Sequence, residues 1–131
     1  GVQTCALPIY GHILLDREIA AQGHYPAIDV LRSKSRVMVD VTSKTHQESA
    51  RRLNQTLSTY KEAEDLINIG AYVKGSNPNI DYALKKINDI NGFLKQEMFE
   101  KALLLESEAM LEQMFLDHPD GAKASNGQSA A

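Results

Sequence analysis

Few residues in this sequence have the types and spacing that catalysis or metal binding requires. Four histidines are scattered along the chain: His12, His24, His46 and His118. None forms a ligand pair with another His or with a Cys, so a zinc site is not expected. Ser33 and Ser35 lack a nearby His and acid and no nucleophile elbow is present, which argues against a serine hydrolase. Arg36 lies in a serine-rich segment before apolar Val37 and Met38, and composition alone favours a surface arginine there.

Gly70 and Gly75 have the G-x4-G spacing of a phosphate-binding loop. The Lys-Ser/Thr pair that would reach the phosphates and the magnesium does not follow them. A helical pattern precedes Gly70, whereas a phosphate-binding loop lies between a strand and a helix. The sequence therefore predicts a helix–helix connection at this point.

The elements that would position these residues differ between the two parts of the chain. Residues 11–15 form a short apolar run that predicts a strand, and residues 16–22 predict a short helix capped by Asp16 and ended by Gly23. Residues 24–31 are expected to be extended or turning, because Pro26 keeps the residue before it out of the helical region. Residues 32–38 predict a polar loop.

Three helices are predicted in the second part. Thr45 and Glu48 have capping-box spacing, so a first helix is expected from Thr45 to Ile69, ended by Gly70. Asn77 and Pro78 predict the start of a second helix, with Pro78 at its first position. A third is expected over residues 97–115, with an apolar stripe formed by Phe99, Leu103, Met110 and Met114. Residues 122–131 are small and polar and predict disorder.

Composition sets further limits. The chain has 131 residues, 43% of them apolar, which suits one modest domain rather than a multidomain enzyme. A net charge of −3 without a basic stripe argues against nucleic acid as a partner. No apolar run approaches the roughly 18–20 residues of a membrane span. A single cysteine, Cys5, excludes an internal disulfide framework.

The predicted fold class is mainly α: a C-terminal helical bundle preceded by a short strand–helix segment. A lone strand cannot satisfy its own hydrogen bonds, and Ile13 to Leu15 need apolar neighbours, so we expect the sequence to be the tail of a longer protein. Residues 1–10 lack charge and helical period and resemble a translated sequencing adapter, a non-native leader. The predicted divisions are 1–10 leader, 11–42 strand–helix segment, 43–117 helical domain and 118–131 disordered tail.

Three stretches carry a specific resemblance. They are GHILLDREIA (11–20) with GHYPAIDVL (23–31) and SKSRVM (33–38), then YKEAEDLINIGAYVKGSNPNID (60–81), then NDINGFLKQ (88–96). In this order they resemble the C-terminal part of the flagellar and type III secretion export ATPases, relatives of the catalytic subunits of rotary ATP synthases. The resemblance fades after about residue 99. It implies that residues 11–42 are the remnant of a P-loop ATPase α/β domain.

The resemblance also assigns roles to particular residues. Tyr25 matches a Tyr-Pro whose ring faces the adenine of ATP, and Phe93 and Phe99 fall near two aromatic positions that complete the adenine pocket; core packing is the alternative for all three rings. Arg36 matches an arginine finger that reaches the nucleotide site of a neighbouring subunit. Lys34 departs from the family, which has an apolar residue there, and either assists phosphate binding or faces solvent.

For the whole protein, the resemblance implies a cytoplasmic homohexamer, peripheral at the inner face of the bacterial membrane. It would hydrolyse ATP with Mg²⁺ to unload export substrates. The expected partners are a coiled-coil stalk protein at the 69–81 connection, export chaperones with their cargo, and the inner-membrane export gate. The family's phosphate-binding loop, metal-binding Asp and catalytic Glu precede Gly11, so this chain alone is expected to be inactive and marginally folded.

Two alternatives stay open at this stage. The first is a fragment of a rotary ATP synthase catalytic subunit, which the Gly-Ser-Asn-Pro turn at 75–78 disfavours. The second is a self-standing helical adaptor, supported only by amphipathic periodicity. The sequence does not separate a flagellar from a virulence-type export system.

Overall fold

The structure, a computed structural model, describes residues 10–117 and is mainly helical, as predicted. His118 and the predictions for residues 1–9 and 118–131 lie outside the described residues. The elements in chain order are β1 (Gly11–His12), α1 (Arg17–Ala21), β2 (Lys34–Ser35), α2 (Met38–Val41), α3 (Lys44–Asn68), α4 (Pro78–Leu94) and α5 (Leu104–Met114).

The core lies where α5 packs against the pair formed by α3 and α4. It consists of Leu53 from α3, Ile90 from α4, and Leu111 and Phe115 from α5 and its C-terminal cap. Ile90 and Phe115 are almost completely buried. At about 25 cal/mol per Å² of apolar surface removed from water, such burial is the main force that holds the three helices together.

Both ends of the α3–α4 connection follow local sequence signals. Gly70 has φ +69°, a left-handed conformation that ends α3 as predicted. The side chain of Asn77 accepts a hydrogen bond from the backbone N–H of Asn79, and Pro78 is the first residue of α4. These predictions are confirmed. Each of them was possible because it depends only on residues that are close in sequence.

The start of α3 differs from the prediction. Ser43, not Thr45, caps the helix, and its Oγ accepts a hydrogen bond from the N–H of His46 at 3.1 Å. Gln47 then donates to the carbonyl oxygen of Thr42 at 3.0 Å, which fixes the chain before the cap. Thr45 lies inside the first turn, so the prediction of a capping box between Thr45 and Glu48 is wrong.

The third helix begins seven residues later than predicted. The side chain of Glu100 accepts from the N–H of Glu97 at 3.0 Å, and the carbonyl oxygen of Glu100 accepts from the Gln96 amide at 2.8 Å. These side-chain bonds hold a turn at the place where a helix would otherwise form. The predicted stripe is therefore wrong: Phe99 and Leu103 precede α5 and are exposed, while Leu111 and Phe115 are buried.

The N-terminal segment is a small antiparallel ribbon beside the helices. Gly11 pairs with Ser35 and His12 with Lys34, so the predicted loop at 32–38 contains a strand and the start of α2. Of the predicted strand at 11–15, only Gly11–His12 is in β1, and Leu15 forms an isolated bridge with Ile28. α1 is capped by Asp16 as predicted. Ile13 and Leu15 are about three-quarters exposed.

Candidate functional site

Arg36 directly follows the ribbon, and its backbone is fixed. The N–H of Arg36 donates to the carbonyl oxygen of Tyr10 at 2.8 Å, next to the Gly11–Ser35 pair. This bond uses only backbone atoms, so it does not depend on which side chain stands at position 10. The Arg36 side chain is exposed. Every ion pair within residues 10–117 is formed by a cation other than Arg36. The Arg36 guanidinium therefore has no carboxylate partner in that part of the chain.

A polar cluster supports the chain just before Arg36. The Oγ of Ser33 donates to the carbonyl oxygen of Asp29 at 2.6 Å and accepts from the N–H of Leu14 at 3.0 Å. The buried Asp29 carboxylate accepts from the N–H of Arg32 at 3.0 Å. The Arg32 guanidinium lies 3.4 Å from Asp16 and 3.9 Å from Asp29. This cluster joins the segment after β1 to the turn before β2.

Sequence reasoning missed the role of Ser33, which it considered only as a nucleophile. Its hydroxyl bonds the carbonyl oxygen four residues back, a local pattern that serine favours in turns and that the sequence could have suggested. The bond from Leu14 spans nineteen residues, and no local pattern predicts it. The same holds for the bond between Arg36 and Tyr10.

The three aromatic candidates have different environments. Tyr25 is 60% exposed, and its carbonyl oxygen accepts from the N–H of Gln96 at 3.0 Å, just beyond the end of α4. Phe93, in the last turn of α4, is half-buried and packs against the helical core. Phe99 is 91% exposed. The structure therefore places Tyr25 against the short segment that connects Phe93 to Phe99. No described contact joins Arg36 to any of these rings.

His24, which precedes Tyr25, lines a cleft of about 420 Å³ between the N-terminal segment and the α3–α4 pair. Burial lowers the pKa of His24 below its usual value of 6.5, and the Lys95 ammonium lowers it further, while a hydrogen bond with the Leu94 backbone raises it in part. Tyr60 and Asn91 line the facing wall. The imidazole is therefore favoured in its neutral form next to Tyr25.

Two further findings concern metals and membranes. Within residues 10–117, no three His, Cys, Asp or Glu side chains group closely enough to hold a metal ion. None of the helices in residues 10–117 combines the length and the hydrophobicity of a transmembrane segment.

Residues 42–113 match the family model of the T3SS EscN ATPase C-terminal domain. This chain belongs to that family. The match includes Phe93 and Phe99 and begins after Tyr25 and Arg36. The expectation of an export ATPase C-terminal domain is thereby confirmed.

Individual relatives agree with this assignment and extend it toward the N-terminus. The flagellum-specific ATP synthase of Bacillus subtilis (strain 168) is 50% identical over 101 residues, which are 77% of this chain and 23% of that protein. The assembled ATPase EscN from the type III secretion system of enteropathogenic E. coli has 36% identity and a TM-score of 0.77, over 79% of this chain and 25% of EscN. EscN in complex with its central stalk EscO gives a TM-score of 0.76 at 36% identity, over 80% of this chain and 26% of that one. This chain thus spans about a quarter of the length of these relatives.

Proposed function

We propose that this chain supplies the adenine pocket and a trans-acting arginine finger to a protein-export ATPase whose ATP hydrolysis drives the unloading and secretion of substrates. The observation that carries the proposal is the state of Arg36. Its backbone is fixed by the ribbon, and its guanidinium is exposed with no ion-pair partner among the described residues. An exposed arginine that has a fixed backbone and no carboxylate partner within residues 10–117 is suited to an acceptor on another subunit.

The chemistry asked of Arg36 is electrostatic. As the terminal phosphoryl group transfers to water, negative charge is spread over its oxygens, and a planar guanidinium offers several N–H donors to them. Arginine fingers contribute about 10³–10⁵ in rate. At about 1.36 kcal/mol per tenfold change, this corresponds to roughly 4–7 kcal/mol of barrier.

Tyr25 and Phe99 are available for the adenine because both rings are exposed. An aromatic ring that stacks on a base contributes roughly 1–3 kcal/mol. The Phe93 ring is committed in part to the helical core, so in this proposal it borders the pocket and supports the segment that carries Phe99. The bond between Tyr25 and Gln96 keeps the two parts of the pocket together.

Magnesium would accompany the nucleotide, where it neutralises phosphate charge. The proposal assigns no metal ligand to this chain. The residues that grip the phosphates and the metal would come from the preceding part of the protein, as the family resemblance implies.

The proposed partners follow from the relatives. EscN is known as an assembled ATPase and in complex with its central stalk EscO, which supports a homohexameric ring and a stalk contact for this protein too. The stalk would touch the α3–α4 connection, where Ile69 and Val73 are at least 70% exposed. We further propose that chaperone–cargo complexes dock on the helical domain, and that the protein is cytoplasmic and peripheral at the export gate of the inner membrane.

A chimera tests the proposal. Residues 11–117 replace the matching segment of the Bacillus subtilis relative, and Arg36→Ala is compared with Arg51→Ala, a matched control because Arg51 is an exposed arginine on α3. We expect Arg36→Ala to keep nucleotide binding and ring assembly while turnover falls by about 10³-fold or more. The control should stay within about threefold of the unsubstituted chimera. Near-normal turnover in Arg36→Ala would remove this residue from its proposed role.

A further inference from the structure

The connection between α3 and α4, residues 69–77, is here called the tip loop. Two glycines with positive φ, Gly70 at +69° and Gly75 at +91°, shape its ends. The N–H of Ala71 donates to the carbonyl oxygen of Leu66 at 2.9 Å, and the N–H of Ser76 donates to that of Val73 at 3.1 Å. Much of the tip-loop backbone is therefore hydrogen-bonded, although the loop lies at the surface.

One carboxylate provides two further anchors for the tip loop. Asp81, in the first turn of α4, accepts from the N–H of Gly75 with Oδ2 at 2.9 Å and from the Tyr72 hydroxyl with Oδ1 at 2.9 Å. The Tyr72 hydroxyl also lies 3.1 Å from the carbonyl oxygen of Asn77. An acidic side chain is favoured at this position by the helix dipole. Asp81 thus ties both halves of the tip loop to the start of α4.

The side chains of the tip loop and of the first turn of α4 fall into two groups. Tyr72 and Asp81 are half-buried and make the bonds just described, whereas Ile69 and Val73 are 75% and 70% exposed. Ile69 precedes Tyr72 in the sequence and Val73 follows it. Because fixing one residue of a flexible backbone costs about 1–2 kcal/mol, a loop that is already ordered would lose less entropy when a partner binds.

We propose that Asp81 and Tyr72 are positioning residues that hold the tip loop in one conformation, so that Ile69 and Val73 form a preformed apolar contact for a helix of the central stalk. This inference rests on the proposed function, which supplies the partner. It adds that stalk binding depends on two residues that need not touch the stalk. The bonds from Asp81 to Gly75 and Tyr72 carry the argument.

The test uses the chimera described above with Asp81→Ala, which loses both anchors, and Tyr72→Phe, which loses one and retains the ring. Asp89→Asn is the matched control, because Asp89 is an exposed carboxylate on the same helix. Hydrogen–deuterium exchange of the tip-loop peptides reports the loop, and binding of the stalk protein from the relative's own export system reports the contact. The ratio of stalk-stimulated to basal turnover reports the coupling.

We expect Asp81→Ala to raise tip-loop exchange at least tenfold and weaken stalk binding at least tenfold, Tyr72→Phe to give smaller changes of the same sign, and Asp89→Asn to change neither. Unchanged exchange in Asp81→Ala would overturn the inference, as would normal stalk affinity in a variant whose loop has lost protection. If the unsubstituted chimera turns over ATP but does not bind the stalk, the partner is wrong. If it lacks turnover altogether, the proposed function fails, and the exchange measurement still decides whether Asp81 holds the loop.

Discussion

The hydroxyl of Ser33 donates a hydrogen bond of 2.6 Å to the carbonyl oxygen of Asp29. Its oxygen also accepts from the N–H of Leu14, so one side chain joins the two segments that form the ribbon. Arg36 follows Ser33 by three residues. Its backbone N–H donates to the carbonyl oxygen of Tyr10, which directly precedes the other strand of the same ribbon. Ser33 therefore helps to determine where the Arg36 side chain leaves the fold.

The first prediction concerns Ser33→Ala in the chimera. The substitution leaves the part-buried N–H of Leu14 without its acceptor, which costs about 1–3 kcal/mol. We expect turnover to fall about tenfold or more because the support of Arg36 loosens, while KM for ATP changes little. Ser33→Thr should restore much of the rate. Ser35→Ala is the control, since Ser35 is exposed and makes no described side-chain hydrogen bond; equal effects of the two alanine substitutions would contradict the prediction.

The second prediction separates the three aromatic residues. Tyr25→Ala and Phe99→Ala remove exposed rings, so each should weaken ATP binding by roughly 5- to 150-fold, the equivalent of about 1–3 kcal/mol, with little change in stability. Phe93→Ala should mainly destabilise the helical domain, by less than the roughly 3–5 kcal/mol of a fully buried Phe. Nucleotide titrations and chemical denaturation of the same variants measure both quantities. Unchanged affinity in Tyr25→Ala would return that ring to a structural role.

The third prediction concerns Lys86, a cation that is only 8% exposed. Its Nζ donates to the carbonyl oxygen of Met114 at 2.7 Å and lies 2.8 Å from Oδ1 of Asp117, so it satisfies the C-terminal end of α5. Lys86→Met keeps the apolar stem but loses the charge, and should lower the free energy of unfolding by about 1.5–3 kcal/mol. Lys85→Met removes a more exposed partner of the same carboxylate and should cost less than about 1 kcal/mol. Chemical denaturation of both variants measures the two losses. A larger loss in the free energy of unfolding for Lys85→Met than for Lys86→Met would refute the prediction.

The same group of residues affects two pKa values. Hydrogen bonding and charge from Lys86, with a smaller contribution from Lys85, lower the pKa of Asp117, although burial opposes them. Burial and the nearby Asp117 carboxylate raise the pKa of Tyr82 to about 12, although Arg52 opposes them. Tyr82 therefore stays protonated in the folded protein throughout the ordinary pH range. The environment at the end of α5 is thus arranged around one carboxylate and the cations that face it.

The fourth prediction is a pH dependence. Because burial and Lys95 lower the pKa of His24 in the folded state, the unfolded chain binds a proton more readily as the pH falls below about 6.5. The contribution of His24 to stability is therefore present at neutral pH and is lost progressively between its unfolded and its folded pKa. Denaturation measured across this range should show a shallower pH slope for His24→Gln. Identical slopes for both proteins would show that His24 does not contribute.

The sequence predicted the parts of the fold that depend on near neighbours. Gly70, Asn77 and Pro78 act within one helical turn, and their roles are as expected. The sequence places the N-cap of α3 two residues late because Ser43 and Thr45 offer the same hydroxyl, and the side chain of Gln47 fixes the chain before Ser43. The sequence places the third helix too early because apolar spacing gives no information about the Glu100 bonds that hold a turn.

The candidate site was less accessible to sequence reasoning. Its residues came from a family resemblance, because a lone arginine and three isolated rings carry little information by themselves. The fixed backbone of Arg36 depends on Tyr10, twenty-six positions away, and the position of Tyr25 depends on Gln96. The spacing of apolar residues alone does not distinguish Phe93, which packs against the core, from Phe99, which is exposed. Contacts of such long range become visible only in the folded structure.

The measurement that tests the central claim most directly is a mixed-ring experiment. One chimera carries Arg36→Ala, a second retains Arg36 but has the lysine of its phosphate-binding loop replaced, and each is inactive alone if the proposal holds. In a mixed ring, an intact phosphate site of the first subunit can face the Arg36 of the second. We predict that mixing the two before assembly restores a substantial fraction of turnover. Mixed rings that assemble normally and stay inactive would contradict the trans action of Arg36.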